Sequence, residues 1–329
     1  MKVAIASIGW SNPTTSMHSH STDVLAALRS VGVDAAPMPL RSYRGAKVGG
    51  LLIPWAWRTF GSYPDREGAL VHQIDQDSLR GVDVVTVQDL FCFHEDRFVD
   101  RFFRSAVGTA ARRARRTVVT TEATGKELGE RFPAVREKIR VVPLPHAPTT
   151  ADREQQRYDA LWIGRNAPNK GLLEYIGLAS RFPHLRFAVR WSRSPGRPLL
   201  DERLSHAIQL SDNIQTFTKP LSDEEMDDLY RSSRAYVSTS TYEGWHLPVS
   251  EAYLRGCHIV VPRIEPYVSI YPEGTAFWYA PSDRASLDTA LEAAVAAPFR
   301  LPSPEVARYV SYTNVGDRLK AVYEEISPR

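Results

Sequence analysis

Short runs of β-branched and other apolar residues recur along the chain, and each is followed by a longer stretch with helical spacing. In the first part of the sequence such runs occupy residues 2–7, 82–87, 117–121 and 139–143. Strands of this composition that alternate with helices are typical of a parallel sheet covered on both faces, because each crossover helix lies over one face. The sequence therefore predicts an α/β fold.

A polar segment at residues 144–157 interrupts this alternation. Proline, threonine and charged residues are dense in it and apolar periodicity is absent, which indicates a linker between domains. A chain of 329 residues is also longer than most single cores sustain. Beyond the linker the strand pattern resumes, at residues 160–164, 186–191, 213–217, 235–240 and 258–262.

We therefore expect two successive β/α domains. The predicted boundaries are residues 1–148 for the first domain and residues 149–312 for the second. A last helix follows the point at which the second sheet should be complete. Residues 313–329 are accordingly predicted to pack back on the first domain.

The composition narrows the class of protein. The net charge of +3 is compatible with an anionic ligand and does not demand nucleic acid. The two cysteines, Cys92 and Cys257, lie in different halves, so a disulfide framework is not expected. The first apolar run breaks at Gly9, too early for a signal peptide, and no stretch approaches the roughly 20 apolar residues of a membrane span. We expect a soluble, cytoplasmic protein, and peripheral contact with a membrane stays open.

The stretch TYEGWHLPVSE, residues 241–251, holds two carboxylates, Glu243 and Glu251, with seven residues between them. It follows a predicted strand, and Pro248 suits the first residue of a helix, which places Glu251 in the first helical turn. Ligands of parallel sheets bind beyond the carboxyl ends of the strands, and free N–H groups at a helix start favour an anion. A diphosphate there would lie between two acids that reach hydroxyl groups. The alternative is that both acids only complement the helix dipole.

The stretch WIGRNAPNKG, residues 162–171, also follows a strand and opens a helix. It carries Arg165 and Lys170 on a loop that contains glycine and proline. Two cations beside a helix start suit the β-phosphate of a nucleotide-sugar, where negative charge grows as the glycosidic bond breaks. Taken singly, either cation could equally be a solvated surface charge.

These two stretches resemble the retaining glycosyltransferases of the GT-B fold, specifically glycosyltransferase family 4, the group 1 glycosyltransferases. The likeness extends over residues 157–283 and includes the glutamate, seven residues, glutamate motif. It implies two Rossmann-like β/α/β domains that face each other across a cleft, with the acceptor on the first and the nucleotide-sugar on the second. It also implies transfer of a sugar from a nucleoside diphosphate sugar to a hydroxyl acceptor, without a cofactor or a metal.

The resemblance assigns roles to individual residues. Arg165 and Lys170 would hold the donor diphosphate, Glu243 would face the donor sugar, and Glu251 would accept hydrogen bonds from the ribose. His246 departs from the family, which usually has a small residue there, and we expect it to project toward the donor sugar and narrow its choice. The predicted donor-binding residues are Gly164, Arg165, Lys170, Glu243, Gly244, Trp245, His246, Leu247 and Glu251.

In the first domain, residues 84–98 resemble the family segment in which a strand ends in His-Asp, but here the pair is Gln88-Asp89. The change removes a titratable group, and in retaining enzymes of this class the departing phosphate is thought to take the acceptor's proton. His94 could replace the lost histidine as a catalytic base, or it could be structural. A polar loop with Ser11 and His18 stands where relatives have a glycine-rich loop, so we expect Ser11, His18, Gln88 and Asp89 on the acceptor side.

Two further patterns bear on ligands. Residues 75–77 spell the Asp-x-Asp of metal-dependent glycosyltransferases, but no metal-binding hairpin follows, and no histidine and cysteine spacing suggests zinc, so we expect no metal. The basic run at residues 112–116 predicts either contact with anionic lipid or nucleic acid, or a solvated helix face.

The sequence leaves the acceptor open among a saccharide, a lipid-linked molecule, a small molecule, a protein and a modified DNA base. Two competing functions also stay open. The first is a glycosyltransferase that acts on modified bases in DNA. The second is a non-catalytic protein that binds a nucleotide-sugar, which the loss of the histidine at Gln88 favours.

Overall fold

A computed structural model describes residues 1–11, 16–39, 47–48, 51–52, 68–76, 82–94, 98–149, 156–192 and 198–327. The chain folds into two compact units. Unit 1 contains Met1–Pro148 together with Arg308–Arg329, and unit 2 contains Thr149–Ala307.

Unit 1 is built on a six-stranded sheet in the order β2-β1-β5-β6-β7-β8, in which every pair is parallel. A separate antiparallel pair of two-residue strands supplies β3 and β4. The strands are β1 (Lys2–Ser7), β2 (Asp34–Pro39), β3 (Lys47–Val48), β4 (Leu51–Leu52), β5 (Leu70–Gln73), β6 (Val84–Val87), β7 (Arg116–Val119) and β8 (Ile139–Val141).

The helices of unit 1 follow the strands, as expected for crossovers between parallel neighbours. Thr121 caps the third of them, because its hydroxyl accepts a hydrogen bond from the N–H of Thr124. In the described part of unit 1, the first three helices are α1 (Ser16–Ser30), α2 (Phe98–Arg113) and α3 (Glu122–Arg131).

Unit 2 has its own parallel six-stranded sheet, in the order β11-β10-β9-β12-β13-β14. The chain moves outward from β9 in one direction and then resumes on the other side of it with β12. The carboxyl ends of β9 and β12 therefore flank the point where the strand order reverses, which is where open α/β sheets bind ligands. The strands are β9 (Tyr158–Arg165), β10 (Phe187–Ser192), β11 (Ile214–Phe217), β12 (Ser233–Val237), β13 (His258–Pro262) and β14 (Phe277–Tyr279).

The core of unit 2 forms where helices cover this sheet, around the fully buried Trp162, Tyr175 and Phe187. Ser222 and Glu225 form a capping box, which fixes the start of the third helix of this unit. The helices are α4 (Leu172–Arg181), α5 (Pro198–Gln209), α6 (Asp223–Arg231), α7 (Leu247–Leu254), α8 (Tyr267–Ile270), α9 (Arg284–Ala296) and α10 (Pro304–Tyr309), whose last two residues belong to unit 1.

The last helix, α11 (Tyr312–Glu324), packs on α1 in unit 1. A side chain at Gly316 would place its Cβ 2.2 Å from the carbonyl oxygen of Ala27, so only glycine permits this approach. The chain returns to unit 1 at Arg308. The sequence predicted this return at residue 313. In the part of the chain that the structure describes, no helix is both long enough and apolar enough to cross a bilayer.

Candidate functional site

Two loops of unit 2 meet at the carboxyl ends of β9 and β12. Gly171 lies between a short 3₁₀ helix, Pro168–Lys170, and α4, with a φ of 66°. A Cβ on it would lie 2.2 Å from the carbonyl oxygen of Thr239, so the close contact requires glycine. The N–H of Thr241 donates to the carbonyl of Asn169 at 2.8 Å. The two stretches picked out by the sequence therefore form one surface.

Lys170 and Glu243 form an ion pair across these loops. The Lys170 Nζ lies 2.6 Å from Oε1 and 2.7 Å from Oε2 of Glu243, and the Glu243 side chain is only 8% exposed. An ammonium group has three donors, so at most one N–H of Lys170 is left for a further acceptor. Removal of either partner would leave a buried charge uncompensated.

Arg165 is the last residue of β9 and is exposed. None of the residues that the structure describes pairs with its guanidinium group. The residue after it, Asn166, is buried and donates from Nδ2 to Oδ1 of Asp201 at 2.5 Å, which holds the start of the loop in place. Arg165 therefore supplies an uncompensated positive charge at this end of the sheet.

Glu251 lies in the second turn of α7, and its predicted place in the first turn is wrong. The helix begins at Leu247 and has no acidic residue in its first turn, because the carbonyl of His246 already accepts the N–H of Val249 at 3.0 Å. Helix-dipole effects fall off within the first turn, so the dipole is a weak explanation for this acid. Its Oε2 instead accepts a hydrogen bond of 2.6 Å from the hydroxyl of Tyr230.

His246 is buried, and its ring contacts two tyrosines. The hydroxyl of Tyr236 donates to the carbonyl of Ile163 at 2.9 Å, so toward the Nε2 of His246, at 3.3 Å, it is an acceptor. Nε2 then carries the ring proton, and Nδ1 accepts from the hydroxyl of Tyr267 at 2.6 Å. The same Nδ1 lies 3.5 Å from Oε1 of Glu243.

Burial, with a smaller contribution from the Lys170 charge, holds the pKa of His246 well below its usual value. The ring is therefore neutral at physiological pH, and its contact with Glu243 is not an ion pair. The projection of His246 toward a donor sugar stays a prediction.

The rest of the loop is held by hydrogen bonds between side chains. Trp245 is 5% exposed and donates from Nε1 to the hydroxyl of Ser250 at 3.1 Å. That hydroxyl also lies 3.0 Å from the hydroxyl of Tyr271. Gly244 and Leu247 flank this arrangement, and Leu247 opens α7. A loop fixed in this way presents its backbone N–H groups in one geometry.

In unit 1, Gln88 and Asp89 follow β6 and contact nearby residues. The N–H of Gln88 donates to Oε1 of Gln76 at 3.0 Å, and its Nε2 lies 3.6 Å from the sulfur of Met17. Asp89 accepts the N–H of Phe91 at 3.0 Å through Oδ1, at the start of a 3₁₀ helix. Their acceptor-side role stays a prediction.

His94 contacts helix α3. Its Nε2 lies 2.9 Å from Oε1 of Glu127, an oxygen that also accepts two hydrogen bonds from Arg131. A histidine that shares a carboxylate with an arginine already has a structural partner. Of the two interpretations of His94, this contact favours the structural one.

The loop at residues 9–20 is only partly described. The Nδ1 of His18 lies 3.0 Å from the carbonyl of Gly9, and its ring meets the ring of Trp10 edge to face. Ser11 ends a short 3₁₀ helix, Ile8–Ser11, and residues 12–15 lie outside the described residues, as does the side chain of Ser11.

His20 is a residue whose surroundings the sequence did not reveal. It is 3% exposed, and neither ring nitrogen has a hydrogen-bond partner among the described residues. Burial lowers its pKa to about 4.

The Asp-x-Asp pattern and the basic run, which the sequence linked to metal and polyanion binding, both lie in unit 1. Asp75 accepts the N–H of Ile8 at 2.8 Å, and Asp77 lies outside the described residues. Within the described ranges, no group of three or more histidine, cysteine, aspartate or glutamate side chains is placed to hold a metal ion. In the basic run, Arg116 is paired with Glu325 at 2.7 Å, and this pair lowers the net positive charge of the run.

Comparison with known proteins bears on this site. The family model of Glycosyl transferases group 1 matches residues 153–308. Unit 2 carries a group 1 glycosyl transferase domain. The match includes Arg165, Lys170, Glu243 and Glu251, so the contacts described above lie within this domain. No curated protein sequence matches the chain.

Solved structures resemble the chain over nearly its whole length. HepE from Anabaena in complex with UDP and glucose has a TM-score of 0.72 at 14% identity, with 98% of this chain and 99% of that chain covered. Sucrose-phosphate synthase from Thermosynechococcus elongatus has a TM-score of 0.67 at 15% identity, with 99% and 96% covered. AviGT4, a glycosyltransferase involved in avilamycin A biosynthesis, has a TM-score of 0.61 at 16% identity, with 99% and 97% covered. Together with the two parallel sheets, these likenesses confirm the predicted GT-B fold class.

Proposed function

We propose that the protein is a retaining glycosyltransferase of family 4 that moves a sugar from a nucleoside diphosphate sugar to a hydroxyl acceptor. The observation that carries the proposal is a set of four charged residues in the segments that end or follow β9 and β12. Two of them, Lys170 and Glu243, are paired at 2.6 Å although 73 positions separate them in sequence. The others are Arg165 and Glu251, and all four lie in the segment that matches the family model.

The charges suit a diphosphate. Lys170 and Glu243 neutralise each other, whereas Arg165 has no partner among the described residues, so the loops present one net positive charge from this trio. A guanidinium group binds phosphate oxygens through parallel N–H donors. The remaining N–H of Lys170 adds a donor where charge would develop on the leaving phosphate, and stabilisation at that point lowers the barrier.

Glu243 would accept a hydrogen bond from a hydroxyl of the donor sugar, because its carboxylate is fixed by Lys170 and lies beside His246. Glu251 would accept hydrogen bonds from the ribose hydroxyls. We further propose that no metal is needed, since Arg165 and Lys170 supply the positive charge that a divalent ion supplies elsewhere. The departing phosphate would take the acceptor's proton, which leaves no required role for a base at Gln88 or His94.

Uridine diphosphate sugars are the first donors to test, because HepE, which has the same fold, has been solved with UDP-glucose. The acceptor is a hydroxyl compound of unassigned class. A cytoplasmic location is part of the proposal, and contact with a membrane or with nucleic acid through the basic face of unit 1 stays a prediction.

The decisive experiment is incubation of the full chain with a panel of nucleoside diphosphate sugars, first by thermal shift and then by donor turnover. A ligand that binds the folded state raises the unfolding temperature by mass action. We expect one donor class to stabilise the protein and to be hydrolysed or transferred above background, with the anomeric configuration of the donor kept in the product. Binding without turnover would support the non-catalytic alternative, and an inverted product would exclude the retaining mechanism.

Two further measurements separate the remaining alternatives. Turnover in the presence of EDTA tests metal independence, and a rate lost with EDTA and restored by manganese would contradict it. A salt-sensitive gel shift with duplex DNA, together with sugar transfer to a modified base, would favour the DNA-modifying alternative.

A further inference from the structure

Tyr230 is a buried residue near the end of α6 that contacts the neighbouring helix α7. Its side chain is 1% exposed, and its hydroxyl donates to Oε2 of Glu251 at 2.6 Å. Nothing in the motif that contains Glu251 points to this residue, because 21 positions separate the two. The contact joins a residue of the candidate site to a residue inside the core.

The phenol can act only as a donor toward Glu251. Burial, with the nearby Glu251 charge as the next cause, raises the pKa of Tyr230 well above 10. The hydroxyl therefore stays protonated at physiological pH. A hydrogen bond from a neutral hydroxyl to a carboxylate is shorter and stronger than one between neutral groups.

The ring of Tyr230 is itself held in place. The guanidinium group of Arg255 lies 5.2 Å from the ring centroid. Arg255 is fixed in turn by Asp227 of α6, with 2.6 Å between its Nε and Oδ1. Asp227 thus holds Arg255 against the Tyr230 ring, and the Tyr230 hydroxyl restrains the carboxylate of Glu251.

This restraint has a consequence for binding. Ordering a glutamate side chain costs conformational entropy, and this cost falls on the binding step unless the side chain is ordered beforehand. The phenol occupies one lone pair of Oε2 and leaves Oε1 and the second lone pair of Oε2 for a ligand. Two adjacent hydroxyls, such as those of a ribose, match these two acceptors.

We propose that Tyr230 is a positioning residue that orients the carboxylate of Glu251 toward the ribose hydroxyls of the bound nucleotide. The inference rests on the proposed function, because the ribose contact of Glu251 belongs to it. Tyr230 would not touch the nucleotide and would act only through Glu251.

The test compares two nucleotides in two variants. The probe is whichever of UDP, ADP, GDP and CDP the wild-type protein binds most tightly, and its partner is the 2′,3′-dideoxy form of the same nucleotide. Calorimetry should show that Tyr230→Phe binds the ribonucleotide about 3- to 10-fold more weakly, as expected for the loss of one hydrogen bond. Its affinity for the dideoxy form should change by less than about twofold, because that form offers no hydroxyl to Glu251.

Tyr175→Phe is the matched control. Tyr175 is also fully buried in unit 2, and its hydroxyl donates to the carbonyl of Ala188 at 3.0 Å. Tyr175→Phe removes a buried hydroxyl of the same kind. The variant should therefore have a lower unfolding temperature but an unchanged preference for the ribonucleotide. Melting curves of both variants establish that each is folded at the temperature of the titration.

The outcomes separate the two proposals. An equal loss of affinity for both nucleotides in Tyr230→Phe, or a change of preference in Tyr175→Phe as well, would show a general structural effect and overturn the inference. Unchanged affinities in Tyr230→Phe, with a wild-type protein that prefers the ribonucleotide, would also overturn it and leave the proposed function intact. A wild-type protein that binds both forms equally, or binds none of the four nucleotides, would contradict the proposed function itself.

Discussion

The ends of the two sheets differ in what their polar side chains contact. At the end of the unit 2 sheet, Lys170 and Glu243 contact each other across two loops. After β6 in unit 1, the predicted site residues contact local structure instead. Asp89 accepts the N–H of Phe91, and His94 shares Glu127 with Arg131. The comparison favours unit 2 as the place of the chain's chemistry, and substitutions of Lys170, Arg165 and His94 test that difference.

The largest effect is expected for Lys170→Ala. The substitution leaves Glu243 as a buried, uncompensated charge and removes the proposed donor to the leaving phosphate. We expect donor turnover to fall by about 1000-fold, and the free energy of unfolding to fall by up to about 3 kcal/mol. Steady-state kinetics and denaturant unfolding measure the two effects.

The double variant Lys170→Met with Glu243→Gln separates these two effects. It should regain most of the lost stability, because no charge is left buried alone, and it should stay inactive. A double variant that regains no stability would show that the pair is not energetically coupled.

The contact between Lys170 and Glu243 also shows what the sequence could and could not predict. The strand and helix alternation and the two loops were predicted, because apolar periodicity and glycine placement are local properties. The pairing was not, since the resemblance assigned the two residues to different parts of the donor and the contact depends on the approach of Gly171 to Thr239.

Two other differences between the prediction and the structure have identifiable causes. Glu251 was placed in the first turn because Pro248 was taken as the first helical residue, whereas the helix begins one residue earlier, at Leu247, which moves Glu251 into the second turn. Tyr230 was missed because its role depends on the packing of α6 against α7. Its place as an aromatic residue at the end of an amphipathic helix signals burial and gives no indication of its partner.

The second prediction concerns Arg165→Ala. Because Arg165 has no charged partner among the described residues, its loss should leave stability unchanged while turnover falls by about 100-fold. Arg186→Ala is the control, since Arg186 is an arginine of the same unit that is 60% exposed and lies near Asp159. A fall in donor affinity without a fall in turnover would reduce Arg165 to a binding residue and weaken the proposed leaving-group role.

The third prediction concerns stability in unit 1, where histidines are buried in the core. Burial lowers the pKa of His20 to about 4 and that of His72 to about 3. Each takes up a proton on unfolding at a pH below 6.5, so stability is full above that pH and falls as the pH drops toward the folded pKa. For His20 alone the loss at pH 5 is about 2 kcal/mol.

Denaturant unfolding of His20→Leu at pH 7.5 and pH 5 measures this contribution. The variant should lose about 2 kcal/mol less than the wild-type protein between the two pH values. An identical loss in both proteins would mean that His20 titrates normally in the folded state.

The smallest effect is expected for His94→Gln, and it is the most direct test of the difference between the two units. Glutamine keeps an N–H donor for Glu127 but cannot take a proton. If His94 only holds helix α3, turnover should change by less than about threefold, since one exposed hydrogen bond contributes little. A general base typically contributes 100-fold or more, so a loss of that size, absent in a Glu127→Gln control, would assign the chemistry partly to unit 1. Loss in the variant of an acid limb that the wild-type protein shows in its pH profile of turnover would support the same conclusion, because a general base is inactive when protonated.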